Sequence, residues 1–478
     1  MPDIFIKNTK IYHDNCLQPA EIIIEDGKVA RIGKDLRVSS SDLIIDAGGA
    51  LTLPAGIDVH VHFREPGMTS KETWYTGSCA AAAGGITTVI DQPNSIPPTT
   101  DRRSFFLKHK LARRKSIVDF GINGGVTGNI DKLGELWGLG AFAFGEIFMA
   151  ESTGGLNISE EAFEAALGEI KRLGALATIH AEDEKLRLEC ESLLKTYTSP
   201  DYHSKARPNI CEAMAIQKAV GLAGSLKTRA HFCHISTLEA VGIIRKEKYL
   251  AKKAEQPSLI SCEVTPHHLF LSTKDWERLG TFGKMNPPLR NLQSIKALTN
   301  GLNDGTVDMV ASDHAPHRLS EKDTDVRQAP SGVPGVETLM PLMLAAVKKN
   351  ILPLGRMIRA TSLNPAKVFG LDRHSKGRLA EGFDADLIIV NPRDIRPIKA
   401  DLLHSKAGWT PFEGMDGVFP EYTLSRGEVV WMEEAITVKA GRGKFLAGAG
   451  FKDGSLNEGD DNEDDGEDDS YGDDYNKG

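Results

Sequence analysis

Ile57-Asp58-Val59-His60-Val61-His62-Phe63-Arg64-Glu65-Pro66-Gly67, followed further on by Ala80-Ala81-Ala82-Ala83-Gly84-Gly85-Ile86-Thr87-Thr88-Val89-Ile90-Asp91, reads as strand, helix and strand. Side chains along a strand alternate, so His60, His62 and Arg64 share one side while Val59, Val61 and Phe63 share the other. Pro66 and Gly67 stop the first strand. Thr69-x-x-Glu72 has the spacing of a capping box, the run through Ala83 has helical composition, and Gly84-Gly85 can close it in a left-handed cap. Ile86 to Asp91 is a β-branched, buried-type strand that ends at Gln92-Pro93-Asn94.

The same alternation continues outward. Ser159, with Glu160 and Glu161, opens a helix to Gly174, and Ala175 to Ile179 is the strand that delivers His180. Asn209-x-x-Glu212 opens the next helix, before the strand Arg229 to Cys233 and His234. Ser236-x-x-Glu239 opens another, leading to Leu259–Val264 and Thr265-Pro266-His267-His268. Asn291 to Leu302 is helical, Val307 to Ser312 delivers Asp313, and Val336 to Lys349 is a last long amphipathic helix.

Repeated βα units mean a parallel sheet with helices outside, and their number favours a closed (β/α)8 barrel over an open doubly wound sheet. Ala82-Ala83-Gly84-Gly85 precedes a strand, the wrong side for a phosphate-binding loop. Before the barrel, Ile4-Phe5-Ile6, Ala20 to Ile24, Val29 to Ile32 and Leu43-Ile44-Ile45 read as short strands, with Asp26-Gly27 marking a hairpin. Strands return after Gly382, at Asp386–Val390 and Gly427–Trp431. The expected division is a small β-sandwich domain from residues 1–54 and 371–445, a barrel over 55–370, and a disordered acidic tail over 446–478.

At 40% hydrophobic and 26% charged, 478 residues can bury one large core and a second small one. The six cysteines contain no CxxC pair, which points to reduced thiols. Met1-Pro2-Asp3 lacks the pattern of a signal peptide and no run is long enough to span a bilayer, so a cytoplasmic protein with no membrane partner is expected. A formal charge of -9 argues against a nucleic-acid partner.

Neutral imidazoles are good ligands for zinc-like cations, and two on one strand face can converge on a single ion. His-x-His alone is common. Here His180, His234 and Asp313 each end an apolar run, where barrel enzymes keep their chemistry. Arg64 could be a surface partner of Glu65, but its parity matches His60 and His62. His231 faces away from His234 and reads as structural, His267 and His268 as packing or support, and His314 points elsewhere than Asp313.

His60-x-His62, Ala80 to Thr88, Ile179-His180-Ala181-Glu182, Cys233 to Thr237, Thr265 to Leu269, Met285 to Arg290 and Ser312 to His317 together resemble the cyclic amidohydrolases, a superfamily of metal-dependent hydrolases, from about Ile4 to Trp431. Phe63 to Gly67, Pro93-Asn94 and Ala315-Pro316-His317 most resemble its dihydroorotase family, which interconverts N-carbamoyl-L-aspartate and dihydroorotate. The resemblance implies His60, His62 and Asp313 on one zinc ion, His180 and His234 on a second, and a hydroxide between them, with Asp313 as general acid and base. It implies further that Arg64, Asn94 and His317 hold the substrate carboxylate, and that Asn286 and the loop at Gly332 hold the ring edges. Asn94 also has a simpler reading, as a turn residue after Pro93.

One departure stands out. Many relatives place a carboxylated lysine between the metals in a Lys-Ile-Phe-Met-like stretch, whereas this chain has Glu146-Ile147-Phe148-Met149. Glu146 already carries a carboxylate and is expected to bridge, with Glu151 as second choice. The rivals are an allantoinase or a dihydropyrimidinase (hydantoinase), whose substrates lack the carboxylate, and a non-catalytic scaffold, which would show gaps among the ligands. Relatives are often homodimers, and association with aspartate transcarbamoylase is a further partner to test.

Overall fold

The computed structural model describes residues 3–38, 42–152, 155–452 and 454–456. Strands that read as unbroken apolar runs are covered on both faces. Every residue is buried in Gly56–Val61 (β1), Ile86–Asp91 (β2), Asp119–Ile122 (β3), Phe144–Phe148 (β4) and Leu176–His180 (β5). Arg229–Phe232 (β6), Ile260–Val264 (β7) and Met309–Val310 (β8) complete eight parallel barrel strands among the described residues. Two seams close the ring. Phe142 N donates to Ile122 O at 3.0 Å between β3 and β4, and His62 N donates to His314 O at 2.9 Å between β1 and the end of β8.

The principal outer helices are Trp74–Ala83 (α1), Arg102–Lys115 (α2), Lys132–Gly138 (α3), Glu160–Leu173 (α4), Asn209–Leu226 (α5), Leu238–Lys253 (α6), Leu292–Asp304 (α7) and Val336–Lys348 (α8). In α4 the local signals and the packing agree. The Ser159 hydroxyl accepts from Ala162 N at 3.2 Å, Glu160 and Glu161 sit in the first turn, and Gly174 ends the helix at φ 71°. Phe163, Ala166, Leu167 and Ile170 form its buried face.

Three expected capping boxes are displaced. α1 is capped by Thr73, not Thr69, with Thr76 N donating to Thr73 Oγ1 at 3.2 Å. Its carboxylate candidate, Glu72, instead accepts from Ser405 Oγ at 2.5 Å and faces His314 Nε2 at 3.4 Å. α5 begins at Asn209 without a side-chain cap, because Glu212 accepts the backbone N–H groups of Ser236 and Thr237 at 2.8 and 3.2 Å. α6 is capped by Thr237, which leaves Ser236 to Glu212 and Arg290. Tertiary partners outcompete the local box in each case.

The terminal segments build one nine-stranded sheet in place of the expected sandwich. Ile4–His13 pairs with the hairpin Cys16–Glu25 and Lys28–Gly33 on one side, and through Leu51–Pro54 reaches Leu387–Val390, Tyr422–Ser425 and Glu428–Met432. Asp26 and Gly27 take φ 50° and 77° at the hairpin turn, as Asp-Gly favours. The sheet curls back so that Val29 N donates to Phe383 O at 2.9 Å, which lets Ile4, Ile22 and Val29 share a core with Leu387 and Leu424. A rolled sheet thus does alone what two packed sheets were expected to do.

The C-terminal boundaries also move. The last strand of the sheet, Ala435–Ile436, ends well before residue 445, and the following chain straps the barrel. Phe120 N donates to Lys444 O at 3.0 Å, and Leu446 N to Phe120 O at 2.8 Å. Residues 446–452 are therefore not tail: Leu446 is buried and Lys452 N donates to Gly138 O at 3.1 Å. Their apolar side chains find barrel surface; the rest of the expected acidic tail, residues 457–478, lies outside the described residues. Among the described residues no helix is long and apolar enough to cross a membrane.

Candidate active site

The carboxyl ends of β1, β4, β5 and β6, with the turn after β8, bring His60, His62, Glu146, His180, His234 and Asp313 to one place. His60 Nε2 lies 3.3 Å from Glu146 Oε2 and 3.6 Å from Asp313 Oδ1, while His62 Nε2 lies 3.6 and 3.1 Å from the same two oxygens. The other oxygen of Glu146, Oε1, faces a second set. It is 3.5 Å from His180 Nδ1 and 2.8 Å from His234 Nε2, and those two nitrogens are 3.2 Å apart.

Donors bound about 2.1 Å from a tetrahedral ion sit about 3.4 Å from one another. The observed spacings scatter around that value, and His60 Nε2 is fully buried with no hydrogen-bond partner among the described residues. His60, His62 and Asp313, and His60, Glu146 and His234, are groups able to hold a metal ion. The donor set therefore fits divalent cations. Glu151 does not join it; that side chain is 69% exposed and lies 3.5 Å from Arg187.

Three of the four imidazoles are aimed from behind, while His234 Nδ1 has no hydrogen-bond partner among the described residues. His60 Nδ1 donates to Glu263 Oε1 at 2.5 Å and His62 Nδ1 to Asn94 Oδ1 at 2.5 Å, so both present Nε2 to the centre. His180 is turned the other way, its Nε2 donating to Glu182 Oε2 at 3.1 Å and its Nδ1 facing Glu146. Asn94 is thus a partner of His62, not merely a turn residue. Sequence reasoning missed Glu263, a lone carboxylate inside the apolar run of β7. It also accepts from His231 Nε2 at 3.0 Å, which makes His231 part of the support. His268 donates to Pro287 O at 3.0 Å from Nε2, whereas among the described residues neither His267 nitrogen has a hydrogen-bond partner.

The electrostatics favour positive charge at the centre. Burial opposes ionisation of Glu146, yet His60 and the hydrogen bonds of His180 and His234 hold it well below the usual carboxylate range. Asp313 is held low against burial by the hydrogen bond from His62 and the charge of His60. His60 is pushed well above the ordinary histidine range, since Glu146 and Glu263 outweigh its burial. Carboxylates that favour a proton on an imidazole equally favour a metal ion beside it. Arg64, His234 and Asp313 take φ 61°, 30° and 47°, a region that costs a non-glycine residue about 1 kcal/mol or more.

Beside this centre the cleft is lined by Arg64, Asn94, Asn286, Ala315, Ser331 and Gly332. Arg64 is buried, its Nε donating to Pro316 O at 3.2 Å and its terminal nitrogen 3.2 Å from His317 Nε2. Asn286 donates to Ser152 Oγ at 3.0 Å, and its Oδ1 accepts from His203 Nε2 at 2.9 Å. Gly332 N donates to Lys284 O at 3.0 Å, and a Cβ there would meet Ala315 O at 2.5 Å. Any contact of that residue with a ligand is left to its carbonyl. A larger cavity, about 540 Å³, lies against Glu337, His404 and Trp431 and contains none of the six converging side chains, so the chemistry belongs to the narrower cleft.

A closed barrel whose strand ends bring histidines and carboxylates to one buried centre defines a metal-dependent hydrolase. The chain belongs to the amidohydrolase family, whose profile matches residues 144–430. Within that family it groups with the dihydroorotases. It is 77% identical over 450 residues to a dihydroorotase of Methanosarcina acetivorans, covering 94% of this chain and 96% of that one, and 76% identical to a dihydroorotase of Methanosarcina mazei, covering 94% and 99%. Among solved structures, the L-hydantoinase (dihydropyrimidinase) of Arthrobacter aurescens is similar at TM-score 0.88 and 32% identity, covering 94% of this chain and 100% of that chain.

Proposed function

We propose that the chain catalyses the reversible cyclisation of N-carbamoyl-L-aspartate to dihydroorotate, as its dihydroorotase relatives are named for. The observation that carries this reading is the meeting of six ligand-type side chains beside a buried guanidinium. Two zinc ions would be held, one by His60, His62 and Asp313 and the other by His180 and His234, with one oxygen of Glu146 facing each group. When bound, such ions polarise a carbonyl oxygen and make water a nucleophile near neutral pH.

The remaining work falls to the chain. Ionised Asp313, next to His62 and His60, takes a proton from the attacking water and delivers it to the leaving ring nitrogen; in the cyclising direction the transfers reverse. Arg64 pairs with the substrate carboxylate through parallel charge-assisted hydrogen bonds, and His317 completes that end of the pocket. Asn286 and the carbonyl of Gly332 face the ring edge. Asn94 serves by fixing the tautomer of His62.

Hydantoinase-like structures share the fold, but an uncharged ring has no use for a buried Arg64. The deciding experiment follows dihydroorotate formation from carbamoyl-aspartate by purified protein, with metal content measured on the same sample and on Glu146→Ala. Turnover with two ions in the wild type, and loss of both rate and metal in the variant, is expected. Preference for hydantoin or dihydrouracil would overturn the assignment, and full metal content in Glu146→Ala would remove Glu146 from its bridging role.

A further inference from the structure

The chain that follows His317 leads to Ser331 and Gly332 in the wall of the cleft, and two lysines are folded against its carbonyls. Lys322 Nζ donates to the carbonyls of Lys284, Pro330 and Gly332 at 2.9, 2.9 and 3.1 Å. Lys284 Nζ donates to the carbonyls of Val326, Arg327 and Ala329 at 2.7, 3.3 and 2.5 Å. Among the described residues neither ammonium has a carboxylate within 4.0 Å. Other buried lysines are paired: Lys108 sits 2.6 Å from Asp91 and Lys376 2.6 Å from Asp119. A buried charge without a counter-charge is costly, so its retention needs a reason.

Three acceptors around Lys322 demand three N–H donors, which only the protonated amine supplies. Burial, followed by the charges of Lys284 and Arg64, presses its pKa well below the usual lysine range, and no acidic group offsets them. From the other elements it is faced by the Trp409 ring, 5.6 Å from its Nζ. The neighbouring Lys71 lies 3.3 Å from His317 Nδ1 and is balanced by Glu321 at 3.0 Å. Arg64 is offset by the charges of Asp313, Asp91, Glu321 and Glu146, and Lys284 in part by those of Asp325 and Glu191, so among the described residues Lys322 is the ammonium left without an opposing charge behind the wall formed by Ser331 and Gly332.

We propose that Lys322 is a specificity-determining residue: its ammonium fastens the Ser331–Gly332 wall, and its counter-charge is the carboxylate of an anionic substrate seated at Arg64. This rests on the carboxylated substrate proposed above. An anion arriving in this low-dielectric wall stabilises the ammonium, whereas a neutral ring leaves the charge unbalanced.

The test uses the metal-loaded enzyme with Lys322→Met and Lys322→Arg. Measured are KM and kcat for dihydroorotate, the inhibition constant of dihydrouracil, which lacks the carboxylate, and the dependence of KM on ionic strength. Lys322→Met should raise KM for dihydroorotate about tenfold or more, with kcat within about threefold and dihydrouracil binding unchanged, and Lys322→Arg should restore part of the loss. Equal weakening of both ligands would reduce Lys322 to a structural clip, and an unchanged KM would overturn the proposal outright. A wild type that fails to turn over dihydroorotate sinks the substrate assignment itself, which is a different result. If Lys322→Met does not fold, Lys322→Gln, which keeps two N–H donors and loses the charge, is measured in its place, and an unchanged KM for dihydroorotate overturns the proposal.

Discussion

Two buried groups of charged side chains in this molecule are made of similar parts and satisfied in opposite ways. At the junction of barrel and sheet, Lys376 Nζ meets Asp119, Asp386 and Asp384 at 2.6, 2.8 and 3.1 Å. Arg426 Nε adds a contact to Asp119 at 3.1 Å, and the backbone N–H groups of Arg426 and Lys444 fill remaining lone pairs on Asp386 and Asp119. Donors meet acceptors throughout, and the group ties β3 to the sheet and the C-terminal strap. At the barrel mouth the reverse holds: lone pairs of His60, His62, Glu146 and Asp313 point at one another, and among the described residues His60 Nε2 has no hydrogen-bond partner. The cluster at the junction saturates itself with protein partners, while the one at the barrel mouth keeps donor atoms for something that is not protein.

The sharpest way to break this contrast is Asp313→Ala. It should cost at least about 10³-fold in kcat in both directions, a loss far larger than its effect on the unfolding midpoint of the metal-free protein, because the role proposed for that carboxylate is in the reaction. Steady-state rates beside denaturant curves decide it; an active variant would move the acid-base role elsewhere. Lys376→Met should do the opposite. Loss of one partner from a saturated buried network costs about 3–5 kcal/mol of stability, seen in urea unfolding, with kcat/KM of the folded fraction unchanged. A large rate loss there would mean that the junction reaches the site.

Smaller effects sharpen the comparison. Arg64→Met removes the charged half of the proposed carboxylate contact and should raise KM for dihydroorotate by about 10–100-fold, equivalent to about 1.5–3 kcal/mol. An unchanged KM would leave Arg64 with no substrate role. His109 on α2 is pushed down to about 4, by burial and then by Arg113, and packs against Phe445 of the strap at 4.7 Å between ring centres. Its folded pKa lies below that of the unfolded chain, so its contribution is intact above about pH 6.5 and is lost as pH falls through about 4. His109→Phe should flatten that acid loss by about 3 kcal/mol in unfolding measured between pH 7 and 4. An identical acid profile would assign the loss to other groups.

Much of the site was legible because strand ends announce themselves. His60, His62, His180, His234 and Asp313 each close an apolar run, and the run sets which side chains face inward. Glu146 was singled out only because it stands where relatives have a lysine. Glu263 escaped, since nothing local distinguishes a carboxylate inside Ile260–Val264, and its partner His60 is 203 positions earlier. The helix starts erred for a related reason. Glu72 and Glu212 have capping-box spacing, but each is claimed by side chains or backbone from distant segments, so the cap passed to Thr73 in one helix and vanished in the other.

The order of strands and helices, the inward-facing histidines and the kind of chemistry they support were set by the sequence itself, because strand alternation and helix periodicity are properties of neighbours along the chain. Which oxygen of Glu146 faces which imidazoles, which carboxylate aims His60, where the strap ends, and how two lysines came to lie beneath the substrate wall were decided only when remote segments met. Those choices rest on distances between residues hundreds of positions apart, and such distances exist only once the barrel has closed.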